Sequence, residues 1–282
     1  MGLAPLIGGG IGFVLGTVGY ASWRWVHPVR LPWPEKVEGE GVAFPSLDGT
    51  ILRGLWMGQG QGPTLLLCHG YYRSLTEPYH LGIALHRQGY RVFLFDFRAC
   101  GESKGYFSTL GAREVLDVLA ATREAIRRGG GPVAVLGISM GAAAAIMAAA
   151  REPRIRAVVA DSAYADLAGL LAYRVQKGVP VPLLRPLARA SIRLGEIFAA
   201  FRATEVRPVD YLAHISPRAI FLIYGERDSY ISSEQREEMI QKAQNPKELW
   251  IAPGSDHAMA RLDHPQEYLE RVLSFLGRWL TP

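Results

Sequence analysis

Short apolar runs alternate with longer amphipathic stretches along most of the chain after residue 63. The apolar runs have the length of buried strands, whereas the amphipathic stretches repeat with the period of a helix. This pattern predicts strands at 64–68, 91–95, 133–136, 157–160, 219–224 and 248–252, and helices near 75–88, 112–128, from 140, near 234–243 and at 265–280. Such alternation requires crossover connections, which build a mostly parallel sheet with helices on both faces. The predicted fold class is therefore α/β.

Two segments depart from this alternation. Residues 41–45 and 51–57 flank an Asp-Gly pair, which is a strong hairpin signal, so we expect the chain to open antiparallel. Residues 164–215 are helix-like but are interrupted by proline and glycine, and they carry more apolar side chains than one helical stripe needs. This surplus predicts either a cap over an apolar substrate cleft at the carboxyl edge of the sheet or a helical excursion packed on its own core.

These patterns divide the chain into five predicted segments. A transmembrane anchor at 1–25 is followed by a proline-rich tether at 26–38. A globular α/β core then occupies 39–163 and 216–282, and the small helical cap at 164–215 lies between its two parts.

The first 23 residues carry no charged side chain and are long enough to cross a bilayer as a helix. Aromatic residues cluster at the end of this stretch, and the basic residues Arg24, Arg30 and Lys36 follow it. The charge asymmetry predicts a single-pass anchor with the rest of the chain in the cytoplasm. The alternative is an export signal cleaved near Ala21, against which stands the lack of a basic stretch before the apolar run.

Glycines recur at every fourth position of the same stretch, at Gly8, Gly12 and Gly16. Small residues at this spacing let two membrane helices approach closely. The spacing predicts a homodimer through this face, with chance spacing in a glycine-rich segment as the alternative.

The net charge of +5 comes from 26 arginines and 5 lysines that are spread along the chain, without a basic run interleaved with aromatics. We therefore expect no nucleic-acid partner. The two cysteines, Cys68 and Cys100, are too few for a disulfide framework and lack the spacing of metal ligands. We expect free thiols, and neither a metal nor an organic cofactor.

The pattern G-x-S-x-G occurs twice, at 101–105 and at 137–141. The second copy follows an apolar strand and precedes an alanine-rich helix, which is the context that exposes a nucleophilic serine on a sharp turn. The first copy lies in a predicted loop instead. The context therefore favours Ser139 over Ser103 as a nucleophile.

A nucleophilic serine needs a neighbouring base, and that base needs a partner that fixes its tautomer. Asp228 follows the strand at 219–224, and His257 follows the next strand along the chain. Acid and base thus come at successive strand ends in the order Ser, Asp, His. Three further side chains stay open as alternative acid or base: Glu226, Asp161 and His264.

A serine acyl transfer also needs two backbone donors for the developing oxyanion. The Met140 N–H is one, because it directly follows the serine at the turn. The strand at 64–68 ends in His69-Gly70, and this glycine lets the Tyr71 N–H point inward as the second donor. His69 is then expected to be structural.

The ordered segments 69–71, 96–103, 137–141, 225–228 and 254–257 resemble those of the α/β-hydrolase superfamily. The resemblance covers about 39–280 and is greatest to membrane-anchored bacterial hydrolases of the serine aminopeptidase-like (S33-type) and BEM46-like groups. It implies an α/β-hydrolase fold with an eight-stranded sheet, and Ser103 in a loop after the fourth strand. It also implies Ser139 as nucleophile, Asp228 as acid, His257 as base and the amides of Tyr71 and Met140 as oxyanion hole. The chain departs from many relatives by having Tyr71-Tyr72 where they carry a further glycine.

The predicted function is cleavage of carboxylic ester or thioester bonds through an acyl-enzyme intermediate. The expected substrate is a small, apolar acyl compound. Peptide or amide cleavage, or acyl transfer, on the same triad is an alternative, because fold and triad do not fix the substrate. A non-catalytic, membrane-tethered interaction module is a further alternative, favoured if the segment 164–215 blocks the cleft.

Overall fold

The computed structural model describes residues 4–59 and 62–280, with the backbone alone for residues 4–13. Within this part of the chain, eight strands form one sheet in the order β1-β2-β4-β3-β5-β6-β7-β8. The strands are β1 Glu40–Pro45, β2 Ile51–Met57, β3 Thr64–Cys68, β4 Arg91–Asp96, β5 Val133–Ile138, β6 Ile155–Asp161, β7 Ala219–Gly225 and β8 Lys247–Ala252. β2 pairs antiparallel with β1 and β4, and the other neighbours are parallel. The predicted mostly parallel sheet and its antiparallel start are confirmed.

Helices cover both faces of the sheet, as the alternation of apolar and amphipathic stretches requires. The α-helices are α1 Ala4–Val26, α2 Thr76–Arg87, α3 Glu114–Gly129, α4 Met140–Ala149, α5 Leu167–Gly178, α6 Arg185–Ala199, α7 Ser233–Lys242, α8 Ala260–Asp263 and α9 Pro265–Trp279. One apolar core joins the sheet to α3, α4 and α7. A second core on the opposite face joins it to α2 and α9. The central parallel strands are buried along their whole length because both faces are covered.

The carboxyl ends of the central strands meet at one edge of the sheet. The register pairs Ile138 of β5 with Asp161 of β6, and Gly225 of β7 with Ala252 of β8. The loops that follow β3, β5, β7 and β8 therefore open on the same side of the molecule. Open α/β sheets bind their ligands at this edge.

The segment 164–215 forms a helical layer above that edge. It contains α5 and α6 together with the 3₁₀ turns Pro182–Leu184, Ala203–Glu205 and Pro208–His214. The Asp166 carboxylate caps α5 by accepting the Gly169 N–H at 2.6 Å, and the Gln235 side chain accepts the Ala165 N–H at 2.9 Å. These bonds connect the start of the helical layer to α7 of the core.

A transmembrane anchor is predicted at residues 1–25, and residues 4–26 form the helix α1. Within the part of the chain that the structure describes, no helix combines the length and the apolar character needed to cross a membrane. The predicted pairing face includes Gly8 and Gly12, for which the structure describes only the backbone.

Helix α1 packs against α6 of the helical layer. The Ser22 hydroxyl lies 3.2 Å from the Ser191 hydroxyl, and the Trp25 indole N–H donates to the Ser191 carbonyl at 3.1 Å. A Cβ atom at Gly195 would lie 2.3 Å from the Trp25 indole nitrogen, so the glycine is what allows the two helices to approach.

The proline-rich segment 27–38 lies against the core instead of standing free as a tether. The Arg30 guanidinium donates to the Gly105 carbonyl at 2.7 Å, and the Trp33 indole N–H donates to the Asp96 carboxylate at 2.7 Å. Fixed prolines limit the unfolded conformations of this segment, which lowers the entropy that is lost when these contacts form.

Candidate active site

Ser139 stands at the sharp turn between β5 and α4. Its backbone has φ +53° and ψ −113°, in the left-handed half of the φ range that residues other than glycine rarely adopt. The Ser139 N–H donates to the Asp161 carbonyl at 2.7 Å, and the Ser139 carbonyl accepts the Ala143 N–H at 3.0 Å. The strand before and the helix after the serine thus hold it in a strained conformation, as is common at functional sites.

The two glycines of this G-x-S-x-G are needed because the backbone crosses itself there. A Cβ atom at Gly137 would lie 2.4 Å from the carbonyl carbon of Gly141. A Cβ atom at Gly141 would lie 2.5 Å from the carbonyl oxygens of both Cys68 and His69. Real Cβ atoms do not reach such distances, so glycine at both positions is what allows the turn to form.

Three side chains at this edge form a continuous hydrogen-bonded chain. The Nε2 atom of His257 lies 2.9 Å from the Ser139 Oγ, and the Nδ1 atom lies 2.9 Å from an Asp228 carboxylate oxygen. The Nδ1–H donates to the carboxylate, and this leaves the Nε2 lone pair to accept the serine O–H. The structure thus brings together the serine, the histidine and the aspartate that the sequence predicts.

The Asp228 carboxylate is buried and firmly held. Its side chain is 2% exposed, and its second oxygen accepts the N–H groups of Tyr230 and Ile231 at 2.8 and 2.9 Å. With one oxygen fixed by the backbone, the other is aimed at the imidazole. An acceptor in this place holds the imidazole in one tautomer and in one orientation.

The alternative acids and the alternative base have other partners. The Glu226 carboxylate accepts the Gly254 N–H, and the His264 imidazole bonds to the Pro253 carbonyl. The Asp161 carboxyl is buried against the hydroxyls of Ser162 and Tyr268, and burial raises its pKa. Within the described residues, none of these three side chains hydrogen-bonds to the side chain of Ser139 or of His257.

One neighbour of the His257 imidazole could not be identified from the sequence. The Tyr230 ring stacks on it with the ring centres 4.9 Å apart. The Arg174 guanidinium, from α5, lies over the Tyr230 ring, 3.7 Å from its centre. This stack connects the helical layer to the imidazole, and it depends on residues that are far apart in the sequence.

The two predicted oxyanion donors lie on either side of Ser139. Met140 is the first residue of α4, so its N–H has no acceptor within the helix and lies at the positive end of the helix dipole. On the other side, a Cβ atom at Gly70 would lie 3.7 Å from the Ser139 Cβ, so the loop that carries the Tyr71 N–H runs directly beside the serine. Tyr71 and Met140 both line the cavity that reaches Ser139.

The buried His69 side chain holds this loop in place through hydrogen bonds to the backbone. Its Nδ1–H donates to the Gly70 carbonyl at 2.7 Å, and its Nε2 accepts the Phe97 N–H at 3.0 Å. Full burial lowers the pKa of His69 from 6.5 to about 4, so the imidazole is neutral at physiological pH. A neutral ring with both nitrogens bonded to the backbone fits the structural role expected of it.

The Tyr71-Tyr72 pair, where many relatives have a further glycine, is held by α1. Tyr72 adopts φ +59°, the conformation that a glycine would take without strain. The Tyr71 hydroxyl donates to the Trp25 carbonyl, and the Tyr72 hydroxyl donates to the Arg24 carbonyl. The last turn of α1 therefore fixes the path of the loop that carries one predicted oxyanion donor.

A cavity of about 600 Å³ reaches Ser139 from the helical layer. Its walls are almost entirely apolar side chains from α1, α5 and α6. A contribution of the segment 164–215 to an apolar cleft is one of the two alternatives that the sequence predicts, whereas the α1 residues are predicted to form a membrane anchor. Within the described residues, no group of three or more metal-ligating side chains comes together.

Comparisons with known proteins agree with this architecture. The family model described as alpha/beta hydrolase fold matches residues 63–185. The chain is 28% identical to the uncharacterized protein YfhR of Escherichia coli, over 88% of this chain and 84% of YfhR. It superposes on the Pyrococcus furiosus esterase Pf2001 with a TM-score of 0.76 and 28% identity, over 92% of this chain and 99% of that one. It also shares its fold with the esterase of Exiguobacterium antarcticum at a TM-score of 0.65 and 19% identity, over 84% of this chain and 100% of that one.

Proposed function

The chain belongs to the α/β-hydrolase superfamily and is a hydrolase, and from that premise we propose that it cleaves carboxylic ester or thioester bonds through an acyl-enzyme. Ser139 is the nucleophile, His257 the general base and Asp228 the acid that orients the base. The backbone amides of Tyr71 and Met140 form the oxyanion hole. The observation that carries the proposal is the hydrogen-bonded chain from Ser139 through His257 to Asp228.

In the first half-reaction, the Ser139 Oγ attacks the substrate carbonyl carbon while the His257 Nε2 takes the hydroxyl proton. The carbonyl oxygen becomes an oxyanion, which accepts hydrogen bonds from the two amides. The bond from carbon to the leaving oxygen or sulfur then breaks, and the imidazolium gives its proton to that atom. The product is a free alcohol or thiol and an acyl ester of Ser139.

In the second half-reaction, a water molecule attacks the acyl carbon and gives one proton to the His257 Nε2. The tetrahedral intermediate collapses, the bond from carbon to the Ser139 oxygen breaks, and the imidazolium returns the proton to the serine. The carboxylic acid leaves, and the enzyme is restored. Asp228 stabilises the imidazolium in both half-reactions without being protonated itself.

A fluorophosphonate probe tests the nucleophile directly, because it reacts with a serine only when a base activates that serine. We expect stoichiometric labelling of the folded full-length chain and none of Ser139→Ala. Ser103→Ala is the matched control, because it alters the other G-x-S-x-G serine and should be labelled like the wild type. Equal labelling of Ser139→Ala, or loss of labelling in Ser103→Ala alone, would overturn the assignment.

An ester substrate is favoured over an amide by the similarity to esterases. Paired p-nitrophenyl ester and p-nitroanilide substrates with the same acyl group measure this preference. A higher kcat/KM for the anilide would favour the peptidase or amidase alternative, and product appearing only with an added alcohol acceptor would favour acyl transfer. The non-catalytic alternative depends on a blocked cleft, whereas the apolar cavity reaches Ser139.

We also propose that the N-terminal segment attaches the protein to a membrane, with the hydrolase domain on the cytoplasmic side. The support is the uncharged stretch before Arg24 and the apolar side chains of Leu15, Tyr20 and Trp23 that stay exposed on α1. Cell fractionation with N-terminal sequencing tests this. Full-length protein in the membrane fraction is expected, and a soluble, exported form cleaved near Ala21 would contradict it.

Pairing of two chains through Gly8, Gly12 and Gly16 stays a prediction, and crosslinking in the membrane fraction tests it.

A further inference from the structure

One face of α1 lines the cavity that reaches Ser139. Its lining residues are Val14, Thr17, Val18, Ala21 and Trp25. Residues three and four positions apart lie on the same side of an α-helix, so this set is a continuous stripe along more than two turns. α1 thus forms one wall of the cavity.

The other walls come from the helical layer and are apolar as well. α5 contributes Leu170, Leu171 and Val175, and the segment leading into α6 and α6 itself contribute Leu184, Leu187, Ala188 and Ile192. The catalytic end is formed by Tyr71, Ser139, Met140 and Tyr230. A cavity of about 600 Å³ is within the range of small-molecule sites, about 300–1,000 Å³. Its apolar lining selects an apolar chain.

The single charged side chain among the described lining residues is already engaged. The Arg174 guanidinium lies over the Tyr230 ring, and it donates to the Ser229 carbonyl at 3.3 Å. Every other described lining residue is uncharged, so a carboxylate carried along the cavity away from Arg174 would have no counter-ion beside it. Burying an unpaired carboxylate there would be unfavourable, so the cavity suits an uncharged chain.

The position of α1 is fixed by the same contacts that shape the catalytic end. Ser22 and Trp25 bond to Ser191 of α6 on one side. The Tyr71 and Tyr72 hydroxyls bond to the carbonyls of the last turn of α1 on the other side. The wall is therefore held directly beside the predicted oxyanion loop, and its side chains can determine how far an acyl chain extends from Ser139.

We propose that α1 is a specificity element of the active site: the Val18, Ala21 and Trp25 face binds the acyl chain, and the enzyme takes uncharged acyl groups longer than butyryl. The inference rests on the proposed serine hydrolase mechanism. The acyl group occupies the active site in both half-reactions, whereas the alcohol or thiol departs at the end of the first. For this reason the apolar cavity beside Ser139 is assigned to the acyl chain and not to the leaving group.

The test is the kcat/KM of the full-length protein on p-nitrophenyl acetate, butyrate, octanoate and laurate. For the wild type we expect kcat/KM to rise from acetate to octanoate, by up to about fourfold per buried methylene. Ala21→Trp fills the cavity from the α1 side. It should lower kcat/KM for octanoate and laurate by about tenfold or more and leave acetate within about twofold.

Leu15→Trp is the matched control, because it places the same bulky ring on α1 at a side chain that is 67% exposed and does not line the cavity. It should leave the chain-length profile unchanged. Val18→Phe is a milder second variant in the cavity wall, and it should shift the profile in the same direction by about threefold. Thermal unfolding of each variant shows whether it folds.

An equal loss on all four esters, or no change in Ala21→Trp and Val18→Phe, would overturn the inference, as would a wild type that hydrolyses only the acetate. Fluorophosphonate labelling and acetate hydrolysis report separately on the proposed mechanism. If both are absent in the wild type, the proposed function fails. If both are present and the two variants do not change the chain-length profile, only the role of α1 is wrong.

Discussion

The two G-x-S-x-G segments share a five-residue pattern and differ in everything around it. At 137–141, the Ser139 hydroxyl lies 2.9 Å from an imidazole nitrogen. At 101–105, the Ser103 hydroxyl is buried, donates to the Asp96 carbonyl at 2.6 Å and accepts the Arg53 N–H at 2.8 Å. One hydroxyl faces a base and a cavity, whereas the other is fully bonded to the backbone of neighbouring strands.

The glycines of the two segments also serve different needs. Gly141 allows backbone to pass backbone, because a Cβ there would meet the carbonyls of Cys68 and His69. Gly101 has φ +46° and lets its loop close around a side chain, since a Cβ there would lie 2.1 Å from the Asp96 carboxylate. A motif therefore carries functional information only together with the elements that flank it.

The largest expected effect is on the acid that supports the Ser139 segment. Asp228→Asn keeps the shape of the side chain but can present an N–H to His257, which would favour the wrong tautomer. We expect kcat for p-nitrophenyl acetate to fall by about ten thousandfold. Glu226→Gln, in the same loop, is the control and should retain kcat. If kcat fell only in Glu226→Gln, the role of the acid would have to be assigned to Glu226.

The next largest effect is expected when each of the two glycines, Gly141 and Gly101, is replaced by alanine. Gly141→Ala should reduce fluorophosphonate labelling by at least about tenfold and lower the free energy of unfolding by about 2 kcal/mol or more, because backbone must move away from the new Cβ. Gly101→Ala should lower the free energy of unfolding by a similar amount while the folded fraction is still labelled. Labelling and urea unfolding of both variants check this, and normal labelling of Gly141→Ala would contradict it.

A third effect concerns His69, which bonds to the Phe97 N–H and so connects the two regions. The unfolded imidazole takes up a proton near pH 6.5, but the folded one stays neutral down to about pH 4 because it is buried. The unfolded chain binds more protons in this window, so His69 lowers the free energy of unfolding as the pH falls through it.

We expect this contribution to reach about 2 kcal/mol near pH 5. His69→Gln, whose amide oxygen can still accept the Phe97 N–H, should lose stability less steeply than the wild type between pH 7 and pH 5. Urea unfolding of both proteins across this range measures the difference. Parallel pH profiles of the two proteins would show that His69 does not titrate on unfolding.

The smallest effect is that of Ser103→Ala. Removing the buried hydroxyl leaves the Arg53 N–H and the Asp96 carbonyl without their partner, which should lower the free energy of unfolding by about 1–2 kcal/mol. Probe labelling of the folded protein should not change. Ser103→Thr keeps the hydroxyl and is the control for its loss. Unchanged stability in Ser103→Ala would mean that water replaces the lost bond.

The sequence was most informative where local pattern and topology act together. The apolar strand before Ser139 and the alanine-rich helix after it are specified by neighbouring residues, and β5 and α4 have the predicted order. Asp228 and His257 follow adjacent parallel strands, so their loops had to open at one edge. The geometry between Ser139, His257 and Asp228 then follows from the sheet, while their catalytic roles stay a prediction.

The sequence was least informative for α1. An uncharged apolar helix can bury its surface in lipid or against another apolar surface, and the hydrophobic effect does not distinguish the two from one segment alone. The distinguishing partners are Ser191 and Gly195, which lie about 170 residues further along. The same limit applies to Tyr230 and Arg174, whose stack on His257 depends on the placement of three separate elements.

The contacts of α1 also have a consequence for the order in which the molecule can assemble. During synthesis α1 emerges before its partners, which follow it by 46 residues at Tyr71 and by 166 residues at Ser191. Long chain separations make such contacts late to form, because the loop between them must first be closed. α1 is therefore made before its partners and is among the last elements to dock. Until then its cavity-lining face lacks the cover that the helical layer gives it in the folded protein.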